Sequence, residues 1–228
     1  MKAVVGALLI GLAACQGSTP KKVELQTPKD KVSYSIGLDI GKNLKRQGME
    51  IDTRILAQGI EDAVAGGATL LTEEQMRETM SQFQQEQMAR QSARATELGD
   101  KNKKEGEAFL AANAKQDGVK ALPSGLQYKI VTPGSGKKPK ATDTVTTQYR
   151  GTLIDGTEFD SSYRRGQPAS FPVTGVIPGW TEALQLMPVG SKWQLFIPSP
   201  LAYGPRGAGE QIGPNATLVF EIELLGIQ

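Results

Sequence analysis

From Thr72 to Lys115 the chain contains no proline, and past Phe83 its side chains are polar on nearly every side. This stretch reads as one helix of roughly 40 residues, which at 1.5 Å per residue would reach roughly 60 Å. Thr72-Glu73-Glu74-Gln75 marks its start as a capping box. In that motif the Thr oxygen accepts from the third amide and the Gln side chain reaches back. Met76, Met80 and Phe83 give an apolar stripe on the first turns. A long helix that is polar all round usually bridges domains through solvent, which is the expectation for residues 84–107. Gly99 and Gly106 read as its weak points, and Phe109, Leu110 and Ala112 as the residues that dock its far end. The helix separates two regions of different character.

Near the start, Lys2 precedes an apolar run from Ala3 to Ala14, followed by Cys15, the only cysteine. The run is too short to span a bilayer as a helix. Charged start, short apolar core, small residues and then Cys resemble a bacterial lipoprotein signal, in which the thiol takes the lipid. Residues 1–14 are then a signal peptide, Cys15 the lipidation site and 15–28 a flexible tether. The protein is expected to be exported and lipid-anchored to the envelope, at the outer membrane facing the periplasm or the cell surface. The alternative is an ordinary secretory signal with a chance Cys nearby.

Thr27-Pro28 looks like a cap followed by proline in the first turn. Val32, Ile36, Ile40 and Leu44 then recur every four residues, predicting an amphipathic helix over 29–46. Gly37 and Gly41 either weaken that helix or form a close-packing face. Asp52 can cap a second helix bearing Ile55, Leu56, Ile60, Ala63 and Val64, ended by Gly66-Gly67. These helices are too small to make a stable core alone. They are expected either to form an intertwined homodimer or to pack against the C-terminal half.

Composition narrows the chemistry. The net charge is +2, or +1 without residues 1–14 (25 basic against 24 acidic side chains), which implies no nucleic-acid partner. Histidine is absent. That removes the usual general base, the serine triad and most transition-metal sites. With Cys15 acylated, no thiol remains for catalysis or a disulfide. No metal and no cofactor is expected.

Beyond Asp117-Gly118 the chain turns to Gly/Pro punctuation and β-rich runs: 126–131, 144–149, 192–197 and 217–225. Short alternating strands with such turns predict an antiparallel sheet. One short helix is predicted at 180–186, ended by Met187-Pro188. Ser161 and Ser162 have no base to activate them and read as turn residues. Lys137, Lys138 and Lys140 read as a solvated loop.

This half carries Tyr149-Arg150-Gly151, Gly156-Thr157-Glu158-Phe159-Asp160-Ser161-Ser162 and Val176-Ile177-Pro178-Gly179-Trp180. Later come Ala202-Tyr203-Gly204, Ile212-Gly213-Pro214-Asn215-Ala216 and Thr217-Leu218-Val219-Phe220. In order and spacing these motifs resemble the FKBP-type peptidyl-prolyl cis-trans isomerases. With the N-terminal helices and the long helix added, the mature chain looks like the macrophage infectivity potentiator branch of that family.

The resemblance implies an α+β protein. A helical dimerisation domain (29–71) is followed by a long connecting helix (72–116) and an isomerase domain (117–228), an antiparallel half-barrel around a short helix. It implies a pocket floored by Trp180 and lined by Tyr149, Phe159, Val176, Ile177, Ile212 and Phe220. Asp160 and Tyr203 would be its catalytic polar handles, and the Ile177 N–H a donor to bound peptide. Proline-containing polypeptides and the family's macrolide inhibitors are the implied ligands. Two residues before Phe171, where many family members carry an aromatic, stands Ala169, which implies a pocket more open on that side. The implied function is rotation of X-Pro bonds in exported proteins. The competing class is a dimeric chaperone or surface adhesin that holds clients without catalysis.

Overall fold

The computed structural model describes residues 23–228. The expected signal peptide, the expected lipidation site Cys15 and most of the expected tether lie outside them. The chain forms two compact units, one ending at Glu73 and the other running from Glu74 to Gln228.

In the first unit, helix α1 (Pro28–Arg46) starts from a reciprocal cap. The Asp30 N–H donates to Thr27 Oγ1 at 3.2 Å, and the Thr27 N–H donates to Asp30 Oδ2 at 2.8 Å. Helix α2 (Thr53–Ala65) is capped by Asp52, which accepts from the Arg54 N–H at 2.9 Å, and ends at Gly66 in the left-handed region. Neither helix buries a single residue. Gly37 and Gly41 have open space where a Cβ would stand.

In the second unit, helix α3 (Glu73–Asn113) begins directly after Thr72, as the capping-box sequence predicts. The solvent-bridging expectation fails from Gly99 onward, because Gly99, Gly106 and Asn113 are buried against the sheet domain. The two glycines are approach points rather than weak points. A Cβ on Gly106 would stand 2.3 Å from Thr217 Oγ1, so only glycine lets the backbones come this close. Phe109 packs on Phe196, ring centroids 6.0 Å apart. Gln127 Nε2 donates to the Leu110 carbonyl, and Asn113 Nδ2 donates to Gln127 Oε1, both at 2.9 Å. Ala112, expected to dock, is exposed, and Asn113 takes that place. The seam runs through small and amide residues, so apolar periodicity does not reveal it.

The sheet has seven strands, paired antiparallel throughout: β1 (Val119–Ala121), β2 (Gln127–Thr132), β3 (Thr144–Leu153), β4 (Glu158–Ser161), β5 (Ala169–Pro172), β6 (Lys192–Ile197) and β7 (Leu218–Ile227). Their order is β1-β2-β6-β7-β3-β4, with β5 also on β3. The four strands predicted from sequence are β2, β3, β6 and β7. The others have three or four residues, too few to display a period.

Along β3 burial alternates, so Val145, Thr147, Tyr149 and Gly151 turn to the core. Along β7, Leu218, Phe220, Ile222 and Leu224 do the same. Helix α5 (Pro178–Leu184) lies on this face, burying Gly179, Trp180, Ala183 and Leu184. It starts and stops two residues earlier than predicted, because Pro178 is pre-set for a first helical turn. Each buried Leu or Ile in this core is worth about 1.5–3 kcal/mol relative to exposure. Phe196 points the other way from its neighbours on β6 and is still buried, because α3 covers it.

Candidate active site

The face between α5 and the sheet opens into a cavity of about 880 Å³. Its floor follows from strand register. Gly151 on β3 pairs with Phe220 on β7, and Tyr149 pairs with Ile222. A Cβ on Gly151 would stand 2.6 Å from the Phe220 ring and 2.7 Å from Phe159, so glycine makes room for both aromatics. Trp180, on the first turn of α5, meets Tyr149 and Phe220 edge-on, each with centroids 5.2 Å away. Phe171 on β5 meets Trp180 edge-on at 5.8 Å, and Phe159 meets Phe220 at 5.5 Å. Edge-to-face pairs exploit the ring quadrupole and hold the walls rigid. Trp180, Tyr149 and Phe220 are at most 5% exposed.

All nine residues singled out from sequence as catalytic or substrate-binding line this cavity: Tyr149, Phe159, Asp160, Val176, Ile177, Trp180, Tyr203, Ile212 and Phe220. The Ile177 carbonyl accepts from the Trp180 and Thr181 N–H groups and so starts α5, while its own N–H enters no backbone hydrogen bond of the described residues. Ala169 lies outside the lining. The wall on that strand is Phe171, which sequence reasoning used only as a landmark.

The polar side of the cavity is a three-residue network. The Tyr149 hydroxyl donates to Asp160 Oδ2 at 2.5 Å and accepts from Arg165 Nη2 at 2.6 Å. Arg165 Nη1 also pairs with Asp160 Oδ1, which accepts from the Ser161 N–H at 2.8 Å as well. Burial works against the Asp160 charge, but the hydrogen bonds from Tyr149 and Arg165 outweigh it and hold the carboxyl below its ordinary range. Burial first, then the hydrogen bond to Asp160, pushes the Tyr149 phenol up. Tyr203 is pushed up by burial and by the Asp160 charge nearby, and its hydroxyl has no partner among the described residues. At neutral pH this side of the site therefore holds the Asp160 carboxylate, paired with Arg165, and the neutral phenols of Tyr149 and Tyr203.

Arg165 was not singled out from sequence. The one-turn helix α4 (Ser162–Arg165) brings it back over Asp160 and the Tyr149 ring, its guanidinium 5.3 Å from the ring centroid. The signal was an Arg five residues after the Asp, and nothing local marks the intervening residues as a helical turn. Ser161 and Ser162 do serve that turn. Ser161 caps α4 by accepting from the Arg164 N–H, and Ser162 Oγ accepts from the Tyr149 N–H at 2.8 Å.

The remaining lip is a small hairpin. The N–H and carbonyl groups of Ala208 and Ile212 bond reciprocally at 2.8 and 3.1 Å, carrying Gly209, Glu210 and Gln211 along the cavity edge. Among the described residues no group of three or more carboxylate, thiol or imidazole side chains could hold a metal ion.

Two family models match the chain. The FKBP-type peptidyl-prolyl cis-trans isomerase model covers residues 135–225, and the domain amino-terminal to such isomerases covers 29–130. Outer membrane protein MIP of Legionella longbeachae is 52% identical over 226 residues, spanning 99% of this chain and 97% of that one. Peptidyl-prolyl cis-trans isomerase Mip of Coxiella burnetii is 42% identical over 221 residues, with 97% and 94% covered. The crystal structure of FkpA from Escherichia coli superposes with a TM-score of 0.71 at 38% identity, covering 90% of this chain and 99% of that one.

Proposed function

The chain belongs to the FKBP-type peptidyl-prolyl cis-trans isomerases, and from that premise we propose how its residues turn an X-Pro bond and where it works. The single observation behind the site assignment is that the nine residues implied by the family resemblance, spread from position 149 to 220, line one cavity.

An X-Pro amide prefers trans by less than about 1 kcal/mol, yet rotation faces a barrier of about 18–20 kcal/mol from amide resonance. The planar amide is polar and water favours it. The twisted amide has lost resonance and is less polar. A cavity walled by Trp180, Phe159, Phe220 and Val176 desolvates the prolyl ring and favours the twisted form relative to water. This is differential binding of the transition state, and it moves no proton to the enzyme. Each tenfold in rate takes about 1.4 kcal/mol.

Asp160, fixed by Arg165, holds the Tyr149 hydroxyl and sets the field at the twisting carbonyl. The free hydroxyl of Tyr203 and the Ile177 N–H donate to substrate carbonyls and select one orientation. The test is isomerisation of a prolyl peptide with and without a macrolide inhibitor of the family. Asp160→Ala and Tyr203→Phe each slow turnover while the fold stays intact. Full activity in both variants refutes the roles.

The proposed setting is the cell envelope. Cys15 carries the lipid, and proline-containing exported polypeptides are the substrates. The name of the Legionella relative, an outer membrane protein, supports this reading. Metabolic labelling with a radioactive fatty acid tests it: a Cys15→Ser chain takes up no label. The proposed division is 29–71 for dimerisation, 72–116 for the connecting helix and 117–228 for catalysis. The homodimer is supported by apolar side chains on α1 and α2 that stay in water in a single chain, among them Val32 at 59% and Ile55 at 70% exposed.

A second reading, holding of unfolded clients, is favoured by Met76, Met80 and Met88, exposed on the first half of α3. Soft, adaptable Met faces suit varied apolar partners. If a Trp180 or Asp160 variant still suppresses client aggregation and an N-terminal deletion does not, holding and turning are separate jobs.

A further inference from the structure

We propose that helix α3 is a positioning element of the isomerase pocket, acting through an asparagine clasp, Asn102 on the helix and Asn215 on the facing loop. The inference rests on the cavity being the isomerase site and adds residues that do not touch it.

The segment from Tyr203 to Thr217 supplies one wall and the lip of the cavity, yet it contains only a 3₁₀ turn and one small hairpin. The sheet ladder does not fix such a segment, so its position depends on tertiary contacts. Those contacts converge on Asn215, the one non-glycine position among the described residues with a left-handed backbone, φ +55°. Its N–H donates to the Gly204 carbonyl at 2.9 Å, tying it to the residue next to Tyr203. Its side-chain amide donates to the Gly99 carbonyl of α3 at 3.3 Å. From the helix, Asn102 Nδ2 donates to the Pro214 carbonyl at 2.8 Å. Gly213, adjacent to the pocket residue Ile212, is pressed between Asn102 and Leu98, and a Cβ there would stand 3.0 and 3.1 Å from their side chains.

Both flanks of the loop are thereby referred to the helix. Tyr203 is set through Gly204 and Asn215, and Ile212 through Gly213 and Pro214. The close approach that permits this comes from Gly99, whose Cβ would stand 3.2 Å from Asn215 Nδ2 and 3.3 Å from Pro214 Cβ. Such outer contacts hold binding groups within the fraction of an ångström that a site needs. The opposite end of the same seam supplies an internal control. Asn113 makes an amide hydrogen bond of the same kind, to Gln127, with no link to the loop.

The experiment compares full-length Asn102→Ala, Asn102→Asp, Asn113→Ala and Asp160→Asn, measuring thermal midpoint and, on a prolyl tetrapeptide, KM and kcat separately. Asn102→Ala and Asn113→Ala lower the midpoint by similar amounts. Only the Asn102 variants raise KM, by about fivefold, the equivalent of one ordinary hydrogen bond, with kcat within about twofold of the parent. Asn102→Asp keeps the shape and loses the donor, so it behaves like the alanine variant. Wild-type KM in both Asn102 variants overturns the clasp, as does an equal rise in Asn113→Ala, which would mean general loosening. Asp160→Asn separates the premises. If it lowers kcat while the Asn102 variants are normal, the clasp alone fails. If it too is normal, the site assignment fails and the clasp falls with it.

Discussion

The described residues before Glu74 and those after it use apolar side chains in opposite ways. Helices α1 and α2 present Val32, Ile36, Ile55 and Val64 to water and bury nothing of their own. The second unit encloses Leu195, Ile197, Leu218 and Ile222 completely and arranges its aromatics around a hollow. Both patterns are amphipathic, but only one chain segment is long enough to fold back on itself. A seven-stranded sheet hides its own inner face with one short helix. Two helices of 19 and 13 residues leave theirs exposed in a single chain, and a second copy is the cover proposed above. If the proposed dimer holds, the self-sufficient and the dependent region are separable by mutation.

The largest effect is expected at Trp180. Trp180→Ala removes the pocket floor and a buried indole, costing about 3–5 kcal/mol of stability. Thermal unfolding together with the isomerase assay reads both losses. Near-normal stability and activity would show that the second unit does not depend on its aromatic box.

Next comes Arg165. Arg165→Leu unties Asp160 and Tyr149 at once and is expected to lower kcat/KM by about tenfold, the scale of one hydrogen bond to a charged group. Lysine should rescue only in part, because it lacks the fork that reaches both partners.

A third test strikes the first unit. Ile36→Glu with Ile40→Glu places charges on the exposed α1 face, and sedimentation should then show a monomer. Its kcat/KM per chain on a short peptide should remain that of the parent. A dimer that survives, or catalysis that falls with it, would erase the division of labour.

The smallest expected effect is on pH dependence. Asp160 is held below the ordinary carboxylate range, and Tyr149 and Tyr203 are pushed above the ordinary phenol range. With no histidine in the chain, kcat/KM should be flat between about pH 5 and about pH 9. Because the folded carboxyl titrates lower than the unfolded one, its contribution to stability is complete above the unfolded value. It is lost as pH falls through the folded one. A bell-shaped profile near neutrality would require a titrating group that the site lacks.

Much of this architecture was legible in the chain. Thr27, Asp52, Thr72 and Gly66 mark helix ends because capping is local chemistry, satisfied within a few residues. The alternation along β3 and β7 set which side chains face inward, because a strand has a period of two. The resemblance of its motifs to those of the FKBP-type isomerases brought nine pocket residues into view. Contacts between distant segments were not legible. That Gly99 and Gly106 are docking points depends on what faces them, Pro214 and Thr217, more than a hundred positions away. Arg165 reaches Asp160 only because one helical turn folds it back. Capping and periodicity are written in neighbouring residues. The bracing of the pocket depends on which backbones come within a few ångströms of each other, and only the assembled structure decides that.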